Sequence, residues 1–262
     1  MRIWHQSYTV LEDLPGYAQA LADHLKRVAR PDTEIVLHGM KPGTYTSNYP
    51  GTDIRHAFVQ HLHTRQFLEA GLKAEQEGYD GYLISTLPEP GLIEARSVLD
   101  IPVTGYAEAA LHTACFLGES IGVLNFIEEL GPLIRKNAER RGLASRLHSV
   151  RHVGFTFNDV LPAFENPKPL IERFEKAARA MIADGADAII PGEAPLCVLL
   201  AHNRITRVDD VPIVDALAAG IKMIEMLVDL KQTLNISVNR RGYYYSRPHP
   251  ERVRELTRFY GF

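Results

Sequence analysis

The chain has 262 residues, of which 45% are hydrophobic and 23% charged, a balance typical of a globular protein with a sizeable core. The net charge of −3 predicts no general attraction to nucleic acid or to acidic membranes. Two cysteines are too few for a disulfide framework, and the N-terminus has no apolar signal segment. The most apolar helical stretch (215–230) carries Lys222, Glu225 and Asp229 in its interior, so it is not a membrane span. We therefore expect a cytoplasmic protein that binds neither membranes nor nucleic acid.

Apolar strand patterns alternate with helical patterns along the first half of the chain. Strands are predicted at 3–8, 33–38, 81–85, 102–105 and 120–125, and helices at 15–30, 55–77, 91–98 and 108–117. This alternation predicts an α/β fold with parallel sheets and right-handed crossovers.

An internal repeat is the most informative feature of the sequence. The stretch 77–84 resembles 184–190, since each is an apolar strand entered through Gly-x-Asp, and Asp-Ile-Pro-Val at 100–103 resembles Asp-Val-Pro-Ile at 210–213. The two matches occur in the same order at similar spacing, and each copy continues into an alanine-rich helix. A duplication therefore predicts two similar lobes related by a pseudo-twofold axis.

The repeat also predicts a site. Ligands of open parallel sheets bind outside the carboxyl ends of the strands, so two facing lobes would present equivalent strand ends to one cleft. Thr86 and Glu193 each lie six residues after the repeated aspartates, Asp80 and Asp187. We expect these two side chains to face each other across the cleft.

Three segments resemble signature stretches of the Asp/Glu/hydantoin racemase superfamily, in its hydantoin and allantoin racemase branch. They are Thr-Leu-Pro-Glu-Pro-Gly at 86–91, Gly-Tyr-Ala-Glu-Ala-Ala-Leu-His at 105–112, and the stretch 185–194, which ends in Gly-Glu-Ala. The family versions read like Cys-x-x-Asp-Pro-Gly, Gly-x-x-Glu-Ala-x-x-His and Gly-Cys-Ala. The resemblance implies two flavodoxin-like lobes, which we expect to comprise residues 1–107 with 216–262, and residues 108–215.

Both family cysteines are replaced in this chain. Racemases of the family use one cysteine per lobe to remove and return a proton on opposite faces of the substrate carbon, and the matching positions here hold Thr86 and Glu193. A threonine hydroxyl cannot take a carbon-bound proton unaided, whereas a carboxylate whose pKa is raised by burial can. We therefore predict Glu193 as the acid/base group, with Thr86 opposite, and interpret Cys115 and Cys197 as buried structural residues.

Further residues are predicted to bind substrate. The candidates at the end of the first strand are the polar residues His5, Gln6 and Ser7. Leu87 and Ala194 are the neighbours of the two catalytic positions, and Glu108 and His112 share one helix face. The polar, aromatic loop at 44–51 is a candidate lid, and the arginine- and tyrosine-rich tail at 239–262 is a candidate subunit interface or active-site arm.

Three functions remain open from the sequence. The first is a cofactor-independent racemase or isomerase acting on a small cyclic amide, such as a hydantoin, or on a carboxylated compound. The second is a hydrolase or lyase of such a ring, in which Glu193 activates water, with or without a metal held by His5 and Glu193. The third is a non-catalytic small-molecule-binding protein. No nucleotide-binding motif is present, so no cofactor is expected. A homo-oligomer is also predicted.

Overall fold

The computed structural model describes all 262 residues and contains two parallel sheets flanked by helices. In the first lobe the strand order is β2-β1-β3-β4, and every pair is parallel. Its elements are β1 (Arg2–Gln6), α1 (Pro15–Val28), β2 (Glu34–His38), α2 (Gly51–Ile54), α3 (Ala57–Gln76), β3 (Gly81–Ile84), α4 (Leu92–Val98) and β4 (Val103–Gly105). The predicted parallel α/β architecture is confirmed.

The second lobe repeats this arrangement with the strand order β6-β5-β7. Its elements are α5 (Tyr106–Leu117), β5 (Ile121–Asn125), α6 (Gly131–Arg140), β6 (Leu147–His152), α7 (Phe157–Val160), α8 (Lys168–Ala183), β7 (Ala188–Pro191), α9 (Ala194–His202), β8 (Arg207–Val208) and β9 (Val211–Pro212). Two further helices follow, α10 (Ala216–Leu234) and α11 (Pro250–Tyr260). None of the helices has the length and apolar character that crossing a membrane requires.

The repeated aspartates have the same structural role in both lobes. The Asp80 carboxylate accepts the backbone N–H of Arg2 at 2.7 Å, where β1 begins. The Asp187 carboxylate accepts the backbone N–H of Ser120 at 2.7 Å, directly before β5. Each aspartate thus satisfies a free N–H at the start of the neighbouring strand, which explains why the Gly-x-Asp entry occurs twice.

The two copies differ at their fourth strand. The segment around Asp210–Ile213 was expected to match the strand at 102–105, but Val211–Pro212 pairs in antiparallel fashion with Arg207–Val208. Only Ile213 makes a parallel bridge, to Ile189 of β7. The outer strand of the second lobe is therefore reduced to a single bridge.

Helices α5 and α10 join the lobes. They pack against each other, and each also packs on a strand, α5 on β7 and α10 on β3. The Tyr106 hydroxyl donates a hydrogen bond to the carbonyl of Pro191 at 3.2 Å. A side chain at Gly81 would approach Ile224 of α10 within 2.8 Å, so glycine allows this close contact. The proposed lobe boundaries, 1–107 with 216–262 and 108–215, remain a prediction.

A buried carboxylate supports the start of α5. Glu89, 6% exposed, accepts the backbone N–H of Glu108 at 2.7 Å and pairs with the Arg141 guanidinium. Burial raises the pKa of Glu89 to about 7, against the opposing effect of Arg141. The helix predicted to start at Glu108 starts at Tyr106, because Glu89 supplies the cap that Gly105 lacks.

We predict that Gly105→Ala destabilises the protein by about 2–4 kcal/mol, because the new Cβ displaces Glu89 from its ion pair and its N–H donor. A Cβ at Gly105 would lie 2.1 Å from Glu89 Oε1. Gly16→Ala is the matched control: no atom lies within 4 Å of its Cβ, and this helical substitution should stabilise by about 0.5–1 kcal/mol. Chemical denaturation measures both, and equal effects at the two positions would contradict the role of Glu89.

Candidate active site

A cavity lies between the lobes at the carboxyl ends of the central strands. It has about 480 Å³ of atom-free space, a figure that includes its open mouth. The lining comprises Ser7, Tyr8, Thr9, Tyr17, Tyr49, Pro50, Gly51, Ile54, Ser85, Thr86, Leu87, Pro88, Phe126, Ile127, Leu130, Phe157, Glu193, Ala194 and Pro195. The structure thus brings together five of the predicted site residues: Ser7, Thr86, Leu87, Glu193 and Ala194.

Glu193 is the only carboxylate that lines this cavity. It follows β7 at the N-terminus of α9 and is 6% exposed. One of its oxygens accepts the backbone N–H of Phe126 at 2.9 Å and the other accepts that of Ile127 at 3.0 Å. Burial raises the pKa of Glu193 to about 7, and the two N–H donors limit the rise. A carboxyl group with this pKa exchanges protons readily near neutral pH.

Hydroxyl groups line the part of the cavity contributed by the first lobe. Thr86 follows β3, as Glu193 follows β7, and is 7% exposed. Ser7, Thr9 and Ser85 lie beside it in the lining, and the Ser85 hydroxyl has no hydrogen-bond partner. This side of the cavity can therefore hold a polar atom or a water but carries no carboxylate, imidazole or thiol.

The cavity has no cationic side chain. Its lining contains no lysine, arginine or histidine, and its other titratable groups are Tyr8, Tyr17 and Tyr49. Burial raises the pKa of all three phenols, that of Tyr49 to about 12, so they are neutral at physiological pH. The site therefore offers no counter-ion to a substrate carboxylate.

The loop at 44–51, predicted as a lid, forms a wall of the cavity. The Tyr49 ring stacks on Phe157 of the second lobe, with centroids 4.5 Å apart and planes 11° apart. The Tyr45 hydroxyl donates to the carbonyl of Tyr8 at 2.6 Å and holds the other end of the loop. The loop thus bridges the two lobes over the site.

Two of the predicted binding residues on β1 lie outside the cavity lining. His5 is 1% exposed, neither ring nitrogen has a hydrogen-bond partner, and burial lowers its pKa to about 3. Gln6 accepts from the Trp4 indole at 2.9 Å and donates to the carbonyl of Gly39 at 3.0 Å. The oxygen and the nitrogen of the Gln6 amide are therefore both bonded within the first lobe.

The predicted pair on α5 also lies elsewhere. Glu108 pairs with Arg96 and lines a different cavity, and His112 is half-buried one turn further along the helix. No group of three or more His, Cys, Asp or Glu side chains is arranged to hold a metal, so His5 and Glu193 share no such cluster.

The cysteines also lie outside the cavity lining. Cys197 is 2% exposed and donates to Asp215 Oδ1 at 3.2 Å, and burial raises its pKa well above the usual value. Cys115, expected to be buried, is half-buried, because it sits near the end of α5 beside exposed residues.

Sequence reasoning missed the partners of Glu193. The backbone N–H groups of Phe126 and Ile127 directly follow β5, and the pairing register makes Asn125 the equivalent of Ser7. The duplication makes β5 the counterpart of β1, and this was the signal that could have placed the turn after β5 in the cavity. Backbone donors leave no trace in side-chain identity, so no motif reveals them.

Comparisons with known proteins agree with this geometry. The family model described as Asp/Glu/Hydantoin racemase matches residues 16–224. A hydantoin racemase from Pseudomonas sp. (strain NS671) is 29% identical over 206 residues, 78% of each chain. The structure resembles allantoin racemase AllR from Pseudomonas fluorescens, with a TM-score of 0.75 and 27% identity over 95% of this chain and 98% of that one.

A second solved structure supports the fold. Allantoin racemase from Klebsiella pneumoniae has a TM-score of 0.77 and 24% identity over 95% of this chain and 94% of its own. The family match and the hydantoin racemase relative also support the isomerase class expected from the sequence. The chain belongs to the Asp/Glu/hydantoin racemase family.

Proposed function

We propose that this protein is a cofactor-independent isomerase that racemises a small neutral cyclic amide, such as a 5-substituted hydantoin, with Glu193 as its acid/base group. The observation that carries the proposal is a single buried carboxylate with a pKa near 7, held by two N–H donors in a cavity between the lobes. Relatives named hydantoin racemase and allantoin racemase add support.

The charge of the cavity favours a neutral ring over a carboxylated substrate. A substrate carboxylate would meet the Glu193 carboxylate and no compensating arginine, lysine or histidine. A hydantoin brings no charge, and its C5–H is acidified by the adjacent carbonyl. Apolar lining residues such as Leu130 and Phe157 suit the ring and its substituent.

The two faces of the substrate would meet different groups. On one face Glu193 takes the C5 proton, and the electron pair passes into the ring carbonyl as an enolate. On the opposite face a water held by the hydroxyls of Ser7 and Thr86 donates a proton to C5. The resulting hydroxide is neutralised by the proton that Glu193 returns to solvent, so the enzyme ends in its starting state.

We predict that Glu193→Gln lowers kcat on the true substrate by about 10²- to 10⁴-fold, because it removes the base. In heavy water the native enzyme should place deuterium at C5 with the ring intact, as read by NMR. The kcat/KM of the native enzyme should fall about tenfold per pH unit below about 7, because only ionised Glu193 accepts the proton. Unchanged turnover in Glu193→Gln would rule Glu193 out.

Glu225→Gln is the matched control for this substitution. Glu225 is 3% exposed and also accepts a backbone N–H, that of Arg30 at 2.8 Å, but it lies on α10 outside the cavity. Both variants lose one carboxylate acceptor and about 1–3 kcal/mol of stability. Thermal unfolding checks that loss, and only the variant at position 193 should lose turnover.

We predict that the double variant Thr86→Cys with Glu193→Cys gains two-base racemisation of hydantoins, because it places a thiol at both equivalent strand ends. Glu193→Cys alone should not, since Thr86 would still lack a titratable proton. The readout is racemisation of a single hydantoin enantiomer. Equal activity of the single and double variants would contradict the pairing of these two positions.

We predict that Cys115→Ala and Cys197→Ala retain turnover per folded molecule, because neither thiol lines the cavity. Cys197→Ala should lose about 1–2 kcal/mol of stability through its packing and its bond to Asp215, whereas Cys115→Ala should lose less. Turnover and thermal unfolding are measured together. A stably folded double variant without turnover would show that a thiol takes part in the reaction.

A hydrolase or lyase is the second candidate function. The cavity has a carboxylate on one side and only hydroxyls on the other, and one base with one water also suits ring opening. The heavy-water experiment separates the two: a racemase returns a deuterated intact ring, whereas a hydrolase yields a ring-opened carboxylate. Binding with neither product would identify a binding protein. A homo-oligomer in the cytoplasm also remains our proposal, and light scattering measures the oligomeric state.

A further inference from the structure

A second, larger cavity lies behind the active cavity. It encloses about 2330 Å³ of atom-free space, including its wide mouth, between α3, α4, α6 and the C-terminal tail. Pro88 is the one residue that lines both cavities. Nothing in the proposed reaction uses this space.

The side of this cavity formed by α6 carries unused hydrogen-bond donors. The Asn137 side chain is 5% exposed and makes no hydrogen bond, and its amide nitrogen is buried. The Arg141 Nε makes no hydrogen bond but lies 3.7 Å from a Glu108 carboxylate oxygen, so it is already paired. Arg140, one residue earlier, is exposed and lies within 4 Å of no carboxylate, unlike the arginines deeper in the cavity. Buried polar groups normally have partners, so these donors point to an acceptor that occupies the cavity.

The carboxylates deep in the cavity are already neutralised. Glu89 pairs with Arg141, and Glu108 accepts two hydrogen bonds from Arg96, one of them at 3.0 Å. Glu94, the remaining carboxylate in the lining, is exposed on α4 rather than on the α6 side. The charge left unpaired beside Asn137 is therefore the positive charge of Arg140.

Aromatic rings of the tail form the opposite wall. Tyr243, Tyr244 and Tyr245 line the cavity, and the first two rings meet edge to face at 5.3 Å. Arg240 fixes this segment by donating to the carbonyl of Arg96 at 2.8 Å. A planar group can rest against these rings while its polar end reaches α6.

We propose that this cavity is a second ligand site, which binds a small carboxylate carrying an aromatic or planar amide group. The carboxylate pairs with Arg140, the amide meets the side chain of Asn137, and the ring packs on the tail tyrosines. The proposal is independent of the reaction in the active cavity. The cations distinguish the two sites: the active cavity has none, whereas Arg140 in this one is free to pair with an anion.

Calorimetric titration with hippurate tests the site, because hippurate joins a carboxylate, an amide and an aromatic ring. Hippuramide, which lacks the charge, should bind at least about tenfold more weakly. Arg140→Ala and Asn137→Ala should each weaken hippurate binding by about tenfold or more. Asn137 makes no hydrogen bond through its side chain, so its removal should leave thermal unfolding nearly unchanged.

Two variants serve as matched controls. Lys136→Ala removes an exposed positive charge from the same helix outside the cavity, and Tyr49→Ala alters the active cavity. Neither should change hippurate binding by more than about twofold. Equal affinity for hippuramide, loss of binding in Tyr49→Ala but not Arg140→Ala, or no binding at about 10 mM would overturn the proposal.

Discussion

The packing of α5 against α10 is the contact on which the site depends. Helix α5 also packs on β7 and α10 on β3, so the helix pair connects the two strands that lead to Glu193 and Thr86. Glycines allow α10 to lie close to β3: a Cβ on Gly220 would lie 3.2 Å from Leu83, and one on Gly81 would lie 2.8 Å from Ile224. A change in this contact would shift Thr86 relative to Glu193, because each follows the end of one of these strands.

The two lobes are similar, but the site between them is asymmetric, with a hydroxyl at position 86 and a carboxylate at position 193. A carboxylate at position 193 is tolerable because the N–H groups of Phe126 and Ile127 partly replace the water it loses on burial. A second carboxylate at position 86 would share the same apolar cavity, and two like charges at close range cannot both ionise near neutral pH. A hydroxyl at Thr86 avoids that repulsion while still offering a hydrogen bond.

Features that occur in both lobes could be predicted from the sequence, whereas contacts that occur in only one lobe could not. The Gly-x-Asp repeat was enough to bring Thr86 and Glu193 to one cavity, because strand ends follow from topology. Gln6 was misplaced because β1 ends at Gln6 rather than at Tyr8, which leaves its amide to bond Trp4 and Gly39. Glu108 pairs with Arg96 through a tertiary contact that no helical spacing encodes. The fourth strand of the second lobe is reduced because Val211–Pro212 pairs with Arg207–Val208 instead, a pairing that the repeat does not reveal, since a proline stands at the same place in both copies.

The helix caps of the two lobes differ, and the cap of α5 borders the cavity behind the active site. Both α5 and α10 need an acceptor for their first N–H groups. In the first lobe Gly105 has no side chain, so Glu89 reaches across from the turn after Thr86 and brings Arg141 with it.

In the second lobe Asp215 caps α10 itself by accepting the N–H of Ala218 at 2.9 Å, and Cys197 and His24 complete the contact around its carboxylate. That arrangement is closed, since His24 and Cys197 are buried. Cys197 thus takes part in the cap of α10 through its hydrogen bond to Asp215. The first-lobe cap extends instead to an open cavity lined by unpaired donors, where a ligand of complementary charge can bind.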